Sequence, residues 1–237
     1  MSSYFNFANK TAVITGATSG IGNCVARRLY NAGCNLICIT SNEKGKTKLV
    51  DQFPNCIVFK CDFRSKKQCD ELIENLSSLR DVTFDILINS AGVFPLKNLL
   101  SSNIQDFNDC FDINVKSAFL LSTFIGKQMC NGGSGRIVNI GSSSAYNGSE
   151  DAGIYCSSKH ALLGLSRSLY KEFRPRGVRV YSISPGSCQT PMGKTDKRQD
   201  FSTFITTREV SKVVVDILKF NGEGIMEEVR INRMVIR

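Results

Sequence analysis

The chain has 237 residues, 42% of them hydrophobic and 22% charged, with a formal net charge of +9. That length suits one sizeable domain that buries a substantial core without staples. No uninterrupted apolar run reaches the 18 or more residues of a membrane span, so no membrane partner is expected. The opening MSSYFNFANK has no basic leader followed by an apolar stretch, and the expected address is the cytoplasm, of a bacterium.

In chain order, short β-branched apolar runs alternate with amphipathic stretches. TAVITG (11–16), NLICIT (35–40), CIVFKCD (56–62), FDILINS (84–90), GRIVNIGS (135–142) and VRVYSISPG (178–186) read as strands. Helical patterns fall near 20–32, 43–52, 66–79, 104–130, 155–173 and 208–220. The terminal EEVRINRMVIR (227–237) alternates like a last, edge-proximal strand. This alternation predicts βαβ units and an α/β, doubly wound, mostly parallel sheet with helices on both faces. No repeat or linker interrupts it, so residues 1–237 are expected to form one domain.

The ten cysteines are scattered, with no CxxC pair, and read as reduced structural thiols. The single histidine, His160, argues against a histidine-based metal site and against a Ser-His-Asp triad; no metal is expected. The basic residues are spread along the chain. Their densest run, GKTDKRQD (193–200), holds two aspartates and no aromatic residue, so it reads as a solvated loop rather than a nucleic-acid surface. The milder inference from the charge is attraction for anionic cofactors or substrates.

TGATSGIG (15–22) follows the first strand and opens the first helix. Gly16 permits a tight turn there. Gly20 and Gly22 permit close backbone approach, and the helix N-terminus offers free N–H groups to a pyrophosphate. Thr18, Ser19 and Ile21 complete this turn. At the end of the second strand, where an acidic residue would hold a ribose 2′-OH, the chain has Thr40, Ser41 and Asn42, with Glu43 arriving late. Hydroxyl and amide donors accommodate a 2′-phosphate, so NADP(H) is favoured over NAD(H), which stays possible. In YCSSK (155–159), Tyr155 and Lys159 stand four apart, with Cβ atoms about 5–6 Å from each other on one helical face.

With TGATSGIG, Asp62 after the third strand, NSAG (89–92), DINV (112–115), Ser142, YCSSK and PGSCQT (185–190), the chain resembles the short-chain dehydrogenase/reductase family, over roughly residues 10–192 and 207–220. Within that family it is most like the 3-oxoacyl-[acyl-carrier-protein] reductases. The resemblance implies a Rossmann-type fold and hydride transfer between a nicotinamide cofactor and a small-molecule carbonyl or alcohol. Tyr155 would be the general acid/base, Ser142 would polarise the carbonyl, Lys159 would hold the nicotinamide ribose, and Asn114 would hold a relay water. A free tyrosine titrates near ~10, so deprotonating a substrate near neutrality requires its phenolate to be favoured by about 4 kcal/mol. The Lys159 cation has the right sign to supply part of that.

The same resemblance places Asp62 and Phe63 beside the adenine, and Asn89, Ala91 and Gly92 along the cofactor. Pro185, Gly186, Ser187, Cys188 and Thr190 fall around the nicotinamide. A homodimer or homotetramer through the helices around 104–130 and 155–173 is expected. The segment at about 193–206 is shorter than the lid common in the family, and this implies an open site or a bulkier, polar substrate. A turnover-free, dinucleotide-binding regulator of the same fold is the competing reading. The complete set Asn114, Ser142, Tyr155 and Lys159 speaks against it.

Overall fold

The computed structural model describes residues 4–234. Seven strands form one sheet in the order β3-β2-β1-β4-β5-β6-β7: β1 (Thr11–Thr15), β2 (Asn35–Thr40), β3 (Ile57–Lys60), β4 (Ile86–Asn89), β5 (Gly135–Ile140), β6 (Val178–Pro185) and β7 (Glu228–Ile231). All six ladders are parallel. The strand pattern predicts a mostly parallel sheet; the structure makes it wholly so. The predicted last strand is β7 at the sheet edge, and the end of that prediction, 235–237, lies outside the described residues.

The central strands are apolar at nearly every position because both faces are covered. Successive side chains alternate between faces. Ala12, Ile14, Leu36, Cys38, Ile86 and Ile88 pack on one side with α1 (Gly20–Asn31), α2 (Glu43–Gln52) and α7 (Thr207–Lys219), through Val25, Leu29, Leu49, Val214 and Leu218. Val13, Ile37, Ile39, Leu87, Ile137 and Val180 face the other way. They meet α3 (Lys66–Ser78), α5 (Ser117–Asn131) and α6 (Gly153–Phe173) through Leu72, Leu76, Leu121, Ile125 and Leu169. Each fully buried leucine or isoleucine contributes about 1.5–3 kcal/mol to holding a helix against the sheet.

The helix predicted over 104–130 runs without a break from Ile104 to Asn131, but it is not α-helical throughout. α4 (Ile104–Phe111) opens on a capping box between Asn103 and Asp106, and a π-helical turn, Asp112–Lys116, separates it from α5. Such turns insert a residue into the helical ladder and redirect the side chains that follow. Here the redirected residue is Asn114.

Candidate active site

Parallel strands deliver their C-terminal ends to one edge of the sheet, and the crevice opens where the chain winds away in opposite directions from β1 and β4. Thr15 closes β1 by accepting hydrogen bonds from the backbone of Ser90 and Ala91, at 3.0 and 2.9 Å, which fixes the two strand ends side by side. Gly16 then turns with φ +69, and a Cβ there would stand 2.7 Å from the Ser90 carbonyl oxygen. Only glycine fits so close an approach in that conformation. Gly22 packs the first turn of α1 against the Gly16 carbonyl, where a Cβ would overlap it.

A cleft of about 540 Å³ runs along this edge. One end is lined by Gly16, Thr18, Ser19, Ile21, Thr40, Ser41, Asp62 and Phe63; Ala91 and Gly92 lie along its length. Its other end is lined by Ser142, Tyr155, Lys159, Pro185, Gly186, Ser187, Cys188 and Thr190. Residues from Gly16 to Thr190 in the sequence therefore share one cavity. Gly20 and Gly22 support the turn from behind and do not line it.

Asn89 does not line it either. It is 5% exposed, and its amide donates to Asn139 Oδ1 at 2.8 Å and Ser122 Oγ at 3.1 Å, beneath the cleft floor. Asn139 passes the network on to Ser166 Oγ at 2.9 Å, so Asn89 ties β4 to β5, α5 and α6.

Asn114 is also buried beside the cleft rather than in its wall. Its Oδ1 accepts from Val93 N at 2.8 Å, and its Nδ2 faces Val93 O (3.0 Å), Ser158 Oγ (2.9 Å) and Cys110 Sγ (3.3 Å). Ser158 in turn donates to the Tyr155 carbonyl at 2.7 Å. The Asn114 side chain is thus bonded to protein partners at both ends of its amide. It clamps the loop after β4 onto α6.

Tyr155 is 9% exposed, with Phe94 edge-on at 4.7 Å between ring centroids. Burial pushes its phenol up to about 12, against which the hydrogen bond to Ser142 works. Ser142 itself is held by the backbone of Ser144, which donates to its hydroxyl at 3.1 Å. The neighbouring Ser143 and Ser144 also line the cleft, but of the three it is Ser142 that works on the Tyr155 phenol. Lys159 donates to the Ile140 carbonyl at 3.0 Å and lies 5.7 Å from the Tyr155 ring centroid. Burial lowers its ammonium to about 8.

Cys188 is buried and pushed up to about 12, a protonated thiol that donates to the Gly186 carbonyl at 3.3 Å. His160 is on the outer side of α6, its ring nitrogen 2.8 Å from the Cys156 carbonyl. Among the described residues no cluster of histidine, cysteine or acidic side chains could hold a metal, and no helix is long and apolar enough to cross a membrane.

Among the cleft residues that sequence reasoning missed, Arg64, Asp196 and Gln199 carry the polar chemistry. Arg64 borders the Asp62 end and is held by the Asp62 carboxylate at 2.7 Å, which keeps that carboxyl below its usual range. Its only sequence signal is its place two residues after Asp62. Asp196 and Gln199 line the mouth at the Tyr155 end, from the segment shorter than the family's lid. That segment folds into two short 3-10 turns, Gly193–Thr195 and Phe201–Thr203, against the cleft.

Comparison with known proteins agrees with this geometry. Residues 10–200 match the short chain dehydrogenase family model. A 3-oxoacyl-[acyl-carrier-protein] reductase of Rickettsia typhi is 37% identical over 194 residues, covering 81% of this chain and 77% of that one. Among solved structures, a 4-hydroxyisoleucine dehydrogenase complexed with NADH superposes with a TM-score of 0.84 at 26% identity, covering 95% of this chain and 98% of its own. A Beutenbergia cavernae protein named as a putative NAD(P)-dependent gluconate 5-dehydrogenase, holding NADP at low occupancy, gives 0.84 at 25% identity, covering 96% and 97%. The chain belongs to the short-chain dehydrogenase family. It is accordingly an oxidoreductase acting on hydroxyl-bearing and carbonyl carbons.

Proposed function

We propose that the protein is an NADP(H)-dependent reductase that converts a ketone, of the 3-oxoacyl type or another, to its alcohol, or the reverse, with Tyr155 as the general acid/base. The observation that carries this reading is the convergence of Tyr155, Ser142 and Lys159 on the cleft whose far end is the Gly16 turn. The turn suits a dinucleotide pyrophosphate, since Gly16, Thr18 and Ser19 line the cleft where α1 begins and no side chain caps that helix N-terminus. When bound, the cofactor would supply or accept the hydride.

The chain's own residues then handle the proton. With its phenol near 12, Tyr155 is fully protonated at neutrality and donates to the oxygen of a reducing carbonyl. Ser142, beside that phenol in the cleft, offers its hydroxyl to the same oxygen and stabilises the developing charge. Lys159, with its ammonium near 8, is mostly cationic at neutral pH and offsets the phenolate that forms. Its bond to the Ile140 carbonyl leaves two further N–H donors, which would serve the tyrosine and a nicotinamide ribose. Asn114 acts by position, holding Val93 and α6 in register.

The preference for NADP(H) rests on the end of β2. Thr40 and Ser41 line the cleft there, while Glu43, the nearest acid in sequence, points outward into an ion pair with Lys60 at 3.0 Å. No carboxylate from that strand end is left to repel a 2′-phosphate. Assembly as a homodimer or homotetramer belongs to the same reading, and Ile104 and Phe119, 72% and 53% exposed, are the apolar residues it would cover.

The test is NADPH oxidation across a panel of carbonyl compounds, repeated with NADH. Tyr155→Phe should lower kcat/KM about 10²-fold or more while NADPH still binds. Equal background rates in wild type and variant would refute the enzyme, and a markedly better kcat/KM with NADH would refute the cofactor preference.

A further inference from the structure

The loop from Thr190 to Ile205 crosses the mouth of the cleft. Its return end is fastened to the strand-end loop Gly186–Gln189 by backbone bonds: Ile205 N to Ser187 O at 3.0 Å and Gln189 N to Ile205 O at 2.8 Å. Its middle hangs on one carboxamide. Gln199 Oε1 accepts from Arg233 Nη2 at 2.7 Å and from Ser187 Oγ at 3.1 Å, while Gln199 Nε2 donates to Asp196 Oδ2 at 2.9 Å. The amide's two ends are chemically matched: the oxygen meets two donors and the nitrogen meets a carboxylate.

The network runs on in both directions. Asp196 takes two bonds from the Arg198 guanidinium, at 2.8 and 3.2 Å, and one from its backbone N–H at 3.1 Å, and its carboxyl is held down at about 2. Arg198 reaches Asp151 on the opposite wall, at 3.4 Å, just before the helix that carries Tyr155. On the other side, Arg233 follows β7, bonds Thr203 Oγ1 at 3.3 Å and lies 5.0 Å from the Phe204 ring centroid. A single path of polar contacts thus joins the wall before α6, the loop over the mouth, the loop after β6 and the last strand.

We propose that Gln199 is a positioning residue that couples closure of the 190–205 loop to the seating of Ser187 at the nicotinamide end of the cleft. The assignment of that end rests on the function proposed above. The loop holds two 3-10 turns and no α-helix to bury, so it closes by this hydrogen-bonded hub. Breaking the hub frees the loop and the Ser187 side chain together, without touching Tyr155, Ser142 or Lys159.

The loop carries its own reporter, because Lys194, Lys197 and Arg198 are tryptic sites and cleavage requires the segment to open locally. In the cofactor-free full chain, Gln199→Ala and Arg233→Ala should each speed native-state tryptic cleavage within the loop about five-fold, and the double variant should be no faster than either single. In Gln199→Ala the Kd for NADPH and the KM for the carbonyl substrate should rise together by about the same factor, with kcat nearly unchanged. Unchanged cleavage rates, or additive effects in the double variant, would overturn the hub. Faster cleavage with an unaltered Kd for NADPH would overturn the coupling to Ser187. Failure of the wild type to bind NADPH would count against the proposed function alone, since the cleavage comparison needs no cofactor.

Discussion

Lys159 offers a test in which stability and chemistry oppose each other. The residue is 5% exposed and forms no ion pair among the described residues, so burial lowers its ammonium from 10.5 to about 8. Between those values the unfolded chain holds a proton that the folded chain has released. Stability therefore rises with pH through the window: the penalty for burying the charge is full below about 8 and gone above 10.5. Lys159→Met keeps the length of the side chain and removes the titration. The stability of wild type relative to the variant should rise by about 2 kcal/mol from about pH 7 to about pH 9.5, and every titration shared by the two proteins cancels from that difference. At about pH 7 the variant is relieved of roughly 3 kcal/mol of charge burial and loses the bond to the Ile140 carbonyl, about 1.5–3 kcal/mol, so it should be at least as stable as wild type. Urea unfolding of both cofactor-free proteins, followed by circular dichroism at the two pH values, measures the difference. NADPH-linked turnover of the variant should meanwhile fall about 10²-fold or more. A difference that stays constant, or moves in the variant's favour toward high pH, would refute the account of Lys159 as a cation held against its solvation.

Two further substitutions separate the cleft from the scaffold. Gly16→Ala places a Cβ 2.7 Å from the Ser90 carbonyl in a φ of +69, and should cost about 1–3 kcal/mol of stability and weaken NADPH binding; thermal melts and a fluorescence titration check both. Arg136, 3% exposed at the start of β5, bonds the Leu218 carbonyl at 3.0 Å and Asn221 Oδ1 at 2.7 Å, with its guanidinium 3.6 Å from the Phe5 ring centroid. Arg136→Ala should destabilise the fold by about 2–4 kcal/mol in urea while leaving the Kd for NADPH unchanged, because it anchors the edge of the sheet remote from the cleft.

The elements were legible where local chemistry decides them. NLICIT is β2 residue for residue, and EKGKTKLVDQ is α2, because a buried parallel strand and a capped amphipathic helix each leave a period in the sequence. The π-turn at Asp112–Lys116 left none. DINVK continues the helical spacing, and the turn's Asn114 is held by Val93 and Ser158, 21 and 44 positions away. The same limit explains the loop over the cleft. GKTDKRQD reads as a solvated charge run because the partners that fold it, Asp151 and Arg233, stand 47 and 34 residues from Arg198 and Gln199. Asn89 shows the converse error. A motif brought it to the right strand end, but alternate residues of a strand face opposite sides, and its side chain went into the floor.

The proposed catalytic residues share a property that the sheet explains. Each sits at or just beyond the C-terminal end of a strand, or on the helix that packs across those ends, so each can be buried while its polar tip faces the cleft. Burial disfavours the charged form of both groups, and so moves them in opposite directions: the phenol of Tyr155 rises from 10.0 to about 12, and the ammonium of Lys159 falls from 10.5 to about 8. The tyrosine is therefore an acid at neutral pH and the lysine a partly titrated cation. That ordering favours reduction, because the proton is on the tyrosine, where a forming alkoxide can take it. It also sets the pH dependence. As pH rises through about 8, Lys159 loses the charge that stabilises the phenolate, and proton donation by Tyr155 becomes harder. The reductive kcat/KM should therefore fall above that pH, and a profile flat to well above it would mean that Lys159 does not act on Tyr155 through its charge.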